Sequence, residues 1–204
     1  MSLFLAGITV FCVVHLFRAA APGTRNNLVW KLGENAYKGI FSLLILTSIV
    51  MIVFGWKSTV PTTVYEAPLM PGIVPSALVL VALVLFFASQ TGGYMKRVLR
   101  HPQMIGTMIW AVSHLLTNGD VRSVVLFGTL AVWTLLEIVL CNRRDGPRTE
   151  LPEASGKSDL IAVVAGVVAF GLLGHFHAQL FGVPALPVQS AGITAAEPLR
   201  LGLK

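Results

Sequence analysis

The chain has 204 residues, of which 55% are hydrophobic and only 12% charged, with a mean hydropathy of +0.78. A soluble domain carries about 25% charged residues, so this composition excludes a water-soluble globule and makes the lipid bilayer the solvent. The formal net charge of +6 needs no nucleic-acid partner, because the basic residues collect in loops where a membrane surface accounts for them.

A lipid-spanning helix needs about 20 mainly apolar residues. The first such stretch, residues 3–21, carries His15 and Arg18 inside it. Ala19-Ala20-Ala21 imitates a cleavage site, but no basic residue precedes the apolar run and more spans follow, so the segment reads as retained. The second and third spans are 38–56 and 73–90. The fourth, 103–117, is the shortest; Arg100-His101-Pro102 opens it, with Pro102 suited to a first helical turn, and Gly119 is its expected stop. The fifth is 121–141, and the sixth is 159–181 with Ser158-Asp159 as its expected cap.

None of these runs alternates as a barrel strand does, so the expected fold class is all-α, a polytopic transmembrane helix bundle of about six spans. One domain covers 1–186. The linker 142–158 is polar and rich in Gly and Pro, and 187–204 reads as an irregular tail.

Charge placement orients the bundle. Arg18, Arg25, Lys31 and Lys38 surround the first loop, Lys96, Arg97 and Arg100 the third, and Arg143, Arg144, Arg148 and Lys157 the fifth. The opposite side keeps only Lys57, Arg122, Arg200 and Lys204. The positive-inside rule then predicts odd loops in the cytoplasm and both termini in the periplasm of a bacterial inner membrane. Cys12 and Cys141 lie at depths too different for an easy disulfide.

An ionisable side chain within a span is costly and usually kept for a task. On the fourth helix Thr107, Ala111, His114 and Asn118 share one face, while His101 points elsewhere and sits at the membrane boundary. His15 and Arg18 share a face of the first helix; the arginine can snorkel and the imidazole cannot. At 1.5 Å per residue His15 lies about 9 Å from Ala21 and His114 about 18 Å from Pro102, an axial offset of roughly 9 Å. His175 and His177 lie near the outer end of the sixth helix on different faces, His175 as an interfacial residue. Either His15 or His177 is therefore available as a partner for His114. Glu137 is expected to pair with Arg18 or Arg143.

Two imidazoles converging from different helices are a known way to hold haem iron in a bundle. No HExxH, CxxC, phosphate-loop or Ser-His-Asp pattern competes with that reading.

His15-Leu16-Phe17-Arg18-Ala19, Gly33-Glu34-Asn35-Ala36-Tyr37-Lys38-Gly39-Ile40-Phe41-Ser42-Leu43 and Arg100-His101-Pro102-Gln103-Met104-Ile105-Gly106 through Trp110 and His114 to Asn118-Gly119 resemble the NnrU family. Asp159 to Gly166 and the ending His177 to Gly182-Val183-Pro184 extend the likeness to about residue 186. The resemblance implies an association with nitrite and nitric oxide respiration. It also implies kinship with 15-cis-zeta-carotene isomerase, a haem b membrane enzyme that converts a cis double bond of a polyene to trans.

Carried over by motif, the resemblance gives His15 and His114 as haem-iron ligands, and His101 and His177 also match the family pattern. The candidate supporting residues are Arg18, His101, His177, Asn118 and Glu137. The isomerase cysteine one turn before the second ligand is Ala111 here. The reading is a haem b-binding membrane protein of denitrification, with nitric oxide or a polyene as ligand and no assigned catalytic residue. The alternatives are a cis-trans polyene isomerase and, on the RHP tripeptide alone, a membrane methyltransferase. Oligomeric state is not legible.

Overall fold

A computed structural model describes residues 1–151 and 153–185, so the expected tail 187–204 lies outside the described residues. Eight helices follow in order among them: α1 (Ser2–Ala20), α2 (Pro22–Leu32), α3 (Glu34–Ser58), α4 (Ile73–Ala88), α5 (Tyr94–Val98), α6 (Pro102–Thr117), α7 (Val121–Asp145) and α8 (Gly156–Phe181). No β-strand occurs among the described residues; Thr63 and Asp120 form an isolated bridge. The all-α polytopic architecture is as the composition requires.

Helices α1, α3, α7 and α8 are long and apolar enough to cross a membrane. α4 and α6, of 16 residues each, are about 24 Å long and pack against each other. The six longer apolar helices coincide with the six expected spans. Their leucines, valines and isoleucines are extensively exposed, as lipid-facing side chains are.

Neighbour relations close these six helices into a ring. α1 packs on α3 and α7, α7 on α6, α6 on α4, and α4 on α8; α8 meets α3 only sparsely, which leaves a seam. Near one end of that seam the Lys57 ammonium donates to the Gln179 carbonyl at 3.1 Å. Small residues permit the close approaches. Ala82 and Gly106 meet between α4 and α6, and Gly166 lies against Val84 between α8 and α4.

Two helices were not expected. α2 begins with Pro22 at its first turn and stops at Gly33, whose φ of +82° suits glycine; the polar segment between forms a helix beside α1 and α3. α5 is a single short turn after Gly93. The sixth span also starts differently from expectation. α8 begins at Gly156 with Ser155 as N-cap, and the Asp159 carboxylate instead accepts from the Tyr94 and Met95 amides at 2.8 and 3.1 Å, tying α8 to the start of α5. The 142–158 linker is likewise partly helical, since α7 continues to Asp145.

At the opposite end the 59–72 loop folds over the end of α6. Val64 and Tyr65 amides donate to the Gly119 carbonyl, Leu69 to that of Leu116, and the Tyr65 hydroxyl to those of Leu115 and Asn118. A Cβ at Gly119 would strike the Tyr65 carbonyl, so this stop is glycine because two backbones touch there.

Candidate functional site

The buried heart of the ring is aromatic. Ala111, Phe127, Leu130 and Trp133 form its core, with Phe11, Cys12, Trp56 and Trp110 among the partly buried residues against it. Both span histidines sit in this cluster. The His15 ring lies 4.3 Å from Phe11, 5.3 Å from Trp133 and 5.6 Å from Phe41, centroid to centroid. His114 stacks on Phe127 at 4.3 Å with Trp110 at 5.1 Å.

The hydrogen bonds of the two imidazoles match. His15 Nδ1 lies 2.8 Å from the Phe11 carbonyl oxygen, and His114 Nδ1 lies 2.9 Å from that of Trp110. A carbonyl only accepts, so Nδ1 carries the proton in each bond and Nε2 keeps its lone pair. That is the tautomer a metal-ligating histidine adopts, with its second nitrogen fixed by a backbone carbonyl.

Depth separates the rings, and side-chain direction works against the separation. His15 lies beside Trp133 and His114 beside Phe127, six residues apart on α7 and so about 9 Å along its axis. A helical side chain leans toward its own N-terminus. The C-terminal end of α1 (Arg18) and the N-terminal end of α6 (His101) both meet the C-terminal end of α7, so α1 runs parallel to α7 and α6 antiparallel to both, and the two imidazoles lean toward each other. Their backbone partners, each four residues earlier, lie on that facing side.

Buried polar groups without partners accompany them. The indole N–H groups of Trp56 and Trp133 are buried and unpaired, as is one carboxylate oxygen of Glu137. A buried polar group normally finds a partner, so these atoms mark places where the protein's own hydrogen bonding is incomplete. With Nε2 free on each ring, His15 and His114 are the residues of this cluster that could hold a metal-centred cofactor.

The remaining expected residues take other places. Asn118 caps α6, its side-chain amide donating to the His114 carbonyl at 3.0 Å and the Thr117 hydroxyl at 2.9 Å. His101 is the N-cap residue of α6, and its Nε2 lies 2.9 Å from Asn142 Oδ1, linking α6 to the far end of α7. His177 Nδ1 donates to the Val183 carbonyl at 2.7 Å just past the end of α8, while His175 packs edge-on against Phe176. Arg18 stands over the Phe41 ring at 5.4 Å. Glu137 forms no salt bridge with Arg18 or Arg143, contrary to expectation; from α7 its carboxylate does not close to bonding distance of either guanidinium.

The faces of α6 divide the work. Ser113 donates to the Pro75 carbonyl at 3.0 Å and Gly106 meets α4, whereas Ala111 and His114 turn to the core. The aromatic walls were missed by reading one span at a time. Their signal was an aromatic residue four positions before each histidine, Phe11 before His15 and Trp110 before His114.

A family model described as NnrU protein matches residues 3–185. The chain belongs to the NnrU family. No curated protein and no solved structure matches it significantly. The NnrU match spans all eight helices apart from the first residue of α1, so both histidines and every aromatic wall lie within it.

Proposed function

We propose that this NnrU-family chain is a haem b-binding membrane protein of nitrite and nitric oxide respiration, with His15 and His114 as the residues that would hold the iron. The observation that carries the reading is the shared arrangement of the two imidazoles: each Nδ1–H is held by a carbonyl of its own helix, and each Nε2 is left with its lone pair inside the bundle. The bound group would supply a redox-active iron.

This chain's residues would do the rest. The Phe11 and Trp110 carbonyls fix ring orientation and raise ligand basicity. Phe41, Phe127 and Trp133 exclude water, and the Trp56 and Trp133 indoles offer hydrogen bonds to an acceptor brought into the bundle. Ala111, fully buried against the core, provides no thiol one turn before His114, which favours the respiratory role over polyene isomerisation.

The test is a reduced-minus-oxidised absorption spectrum of the detergent-purified protein. A b-type spectrum is expected, lost or strongly shifted in His15→Ala and His114→Ala and retained in His177→Ala. Normal spectra from both ligand variants would overturn the pair. For the physiological role, a strain carrying His114→Ala should grow more slowly than wild type on nitrite without oxygen; equal growth would remove that assignment.

A further inference from the structure

A second feature lies at the basic end of the bundle. A cavity of about 340 Å³ opens there between the end of α1, the start of α2 and the end of α7, lined by Arg18, Pro22, Arg25, Asn26 and Arg144. Its size falls within the ~300–1,000 Å³ of small-molecule sites. Three guanidinium groups from three helices share one space.

Their charges are incompletely neutralised. Arg144 is paired with Asp145 at 2.7 Å. Arg18 and Arg25 have no carboxylate within salt-bridge distance among the described residues; Arg18 rests over Phe41, and Arg25 over Tyr37 with one donor on Asn26 Oδ1 at 3.0 Å. Each keeps donors free for a ligand. Glu137 forms no salt bridge with Arg18 or Arg144. Three guanidinium groups thus share one directly paired carboxylate, Asp145, and a bound anion offsets the remaining like-charge repulsion.

The adjoining backbone adds to the same preference. Pro22 is both a wall of the cavity and the first residue of α2, whose N-terminal turn has no side-chain cap and no acidic residue. The helix dipole there is positive. Level in the membrane narrows the choice of anion. α2 joins the ends of α1 and α3 outside the spans and leaves Trp30 84% exposed, as an aromatic residue at the headgroup layer is.

We propose that this cavity binds the phosphate group of a net-anionic molecule, with a phospholipid headgroup and free phosphate as the two sources of that chemistry. Basic pockets between helices at a membrane surface take lipid phosphates in this way. The assignment does not depend on the haem reading.

The test uses the full-length detergent-purified protein, titrated with phosphatidylglycerol, phosphatidylcholine or inorganic phosphate and read by native mass spectrometry and by melting temperature. Phosphatidylglycerol should bind at least about tenfold more tightly than phosphatidylcholine. Arg25→Gln and Arg144→Gln should each weaken it about tenfold, the loss of a charge-assisted hydrogen bond. Arg143→Gln, on the same helix end but outside the cavity lining, should bind as wild type. Phosphatidylglycerol binding that inorganic phosphate does not displace identifies the lipid as source, and displacement with equal dependence on Arg25 identifies the soluble anion. Equal binding of the two lipids with phosphate inert overturns the proposal, as does equal binding by the cavity variants and Arg143→Gln. Arg25 lies on α2 outside the ring, so its variant separates ligand loss from bundle collapse, with unchanged helix content by circular dichroism as the check.

Discussion

A single missing methyl group decides how closely α1 and α3 can run. A Cβ added to Gly55 would stand 2.5 Å from the Phe4 backbone nitrogen and α-carbon, and one added to Gly7 would stand 2.9 Å from the Ile52 nitrogen. Backbone atoms cannot swing away as a side-chain tip can, so any larger residue forces the two helices apart. Phe4 has no exposure and its ring sits edge-on to Trp56 at 6.0 Å, which ties this contact to the aromatic core. Gly55→Ala should therefore destabilise the bundle by about 1–3 kcal/mol, the usual cost of overpacking. A melting curve in detergent would register a drop of several degrees, whereas Gly39→Ala, which meets nothing within 4 Å, should leave it in place.

Residue by residue, the sequence shows which side chains are out of place in lipid and stays silent on what they touch. His15 and His114 stand out because an imidazole inside an apolar span is costly. Phe127 and Trp133 do not, since aromatic residues are ordinary in any span. Their part depends on α7 lying between α1 and α6, a relation no single-helix spacing contains.

Helix ends were less legible than helix bodies. Length and hydropathy suffice for a span, but a cap depends on a few atoms, and Asp159 illustrates the failure: its carboxylate leaves its own helix to bind the amides that begin α5. α2 escaped because its polar composition reads as loop, and its helical state comes from Pro22, Gly33 and packing on α3. Asp120, in contrast, caps its own helix, α7. It accepts from the Arg122 and Ser123 amides at 3.0 and 3.4 Å, from the Ser123 hydroxyl at 2.6 Å and from Arg122 Nε at 3.1 Å. Arg122 in turn lies 4.5 Å over the Trp56 ring, so the cap also anchors the end of α3.

Burial alone would raise the Asp120 carboxyl, but the hydrogen bonds from Ser123 and Arg122 outweigh it and hold the group below its ordinary value of 3.8. A carboxyl held low when folded stabilises fully above its unfolded value, and that contribution disappears as pH falls through the folded one. Asp120→Ala should cost about 1–2 kcal/mol at neutral pH through loss of the cap. Between pH 7 and pH 3 the melting temperature of the wild type should fall more than that of Asp120→Asn, with the difference confined to pH below about 4. Parallel curves for the two proteins would show that this carboxylate has no such role.

For the molecule as a whole, the ring has one end rich in arginine and one nearly without basic residues. Arg144 donates to the Arg18 carbonyl at 3.5 Å, and Arg148 donates to those of Arg97 and Lys96 at 2.9 and 3.4 Å, so the basic loops gather at a common end. Sequence order alone foretold this, because alternating spans must bring odd loops together. It could not foretell the sparse α3–α8 seam, which arises from how six helices close and not from any one of them. Lys57 lies at the other end, bonded across that seam to Gln179. The charge asymmetry predicts that a membrane-impermeant maleimide added to intact spheroplasts labels Lys57→Cys and reaches Lys157→Cys only after permeabilisation, both in a chain whose Cys12 and Cys141 are replaced by alanine. Labelling of Lys157→Cys alone from outside would invert the bundle and place the arginine-lined cavity on the outer surface. Since the charge rule weighs short loops near the spans, replacing Arg97, Arg100 and Arg148 by glutamine should blur the labelling contrast, whereas glutamine at Arg200 and Lys204 should preserve it.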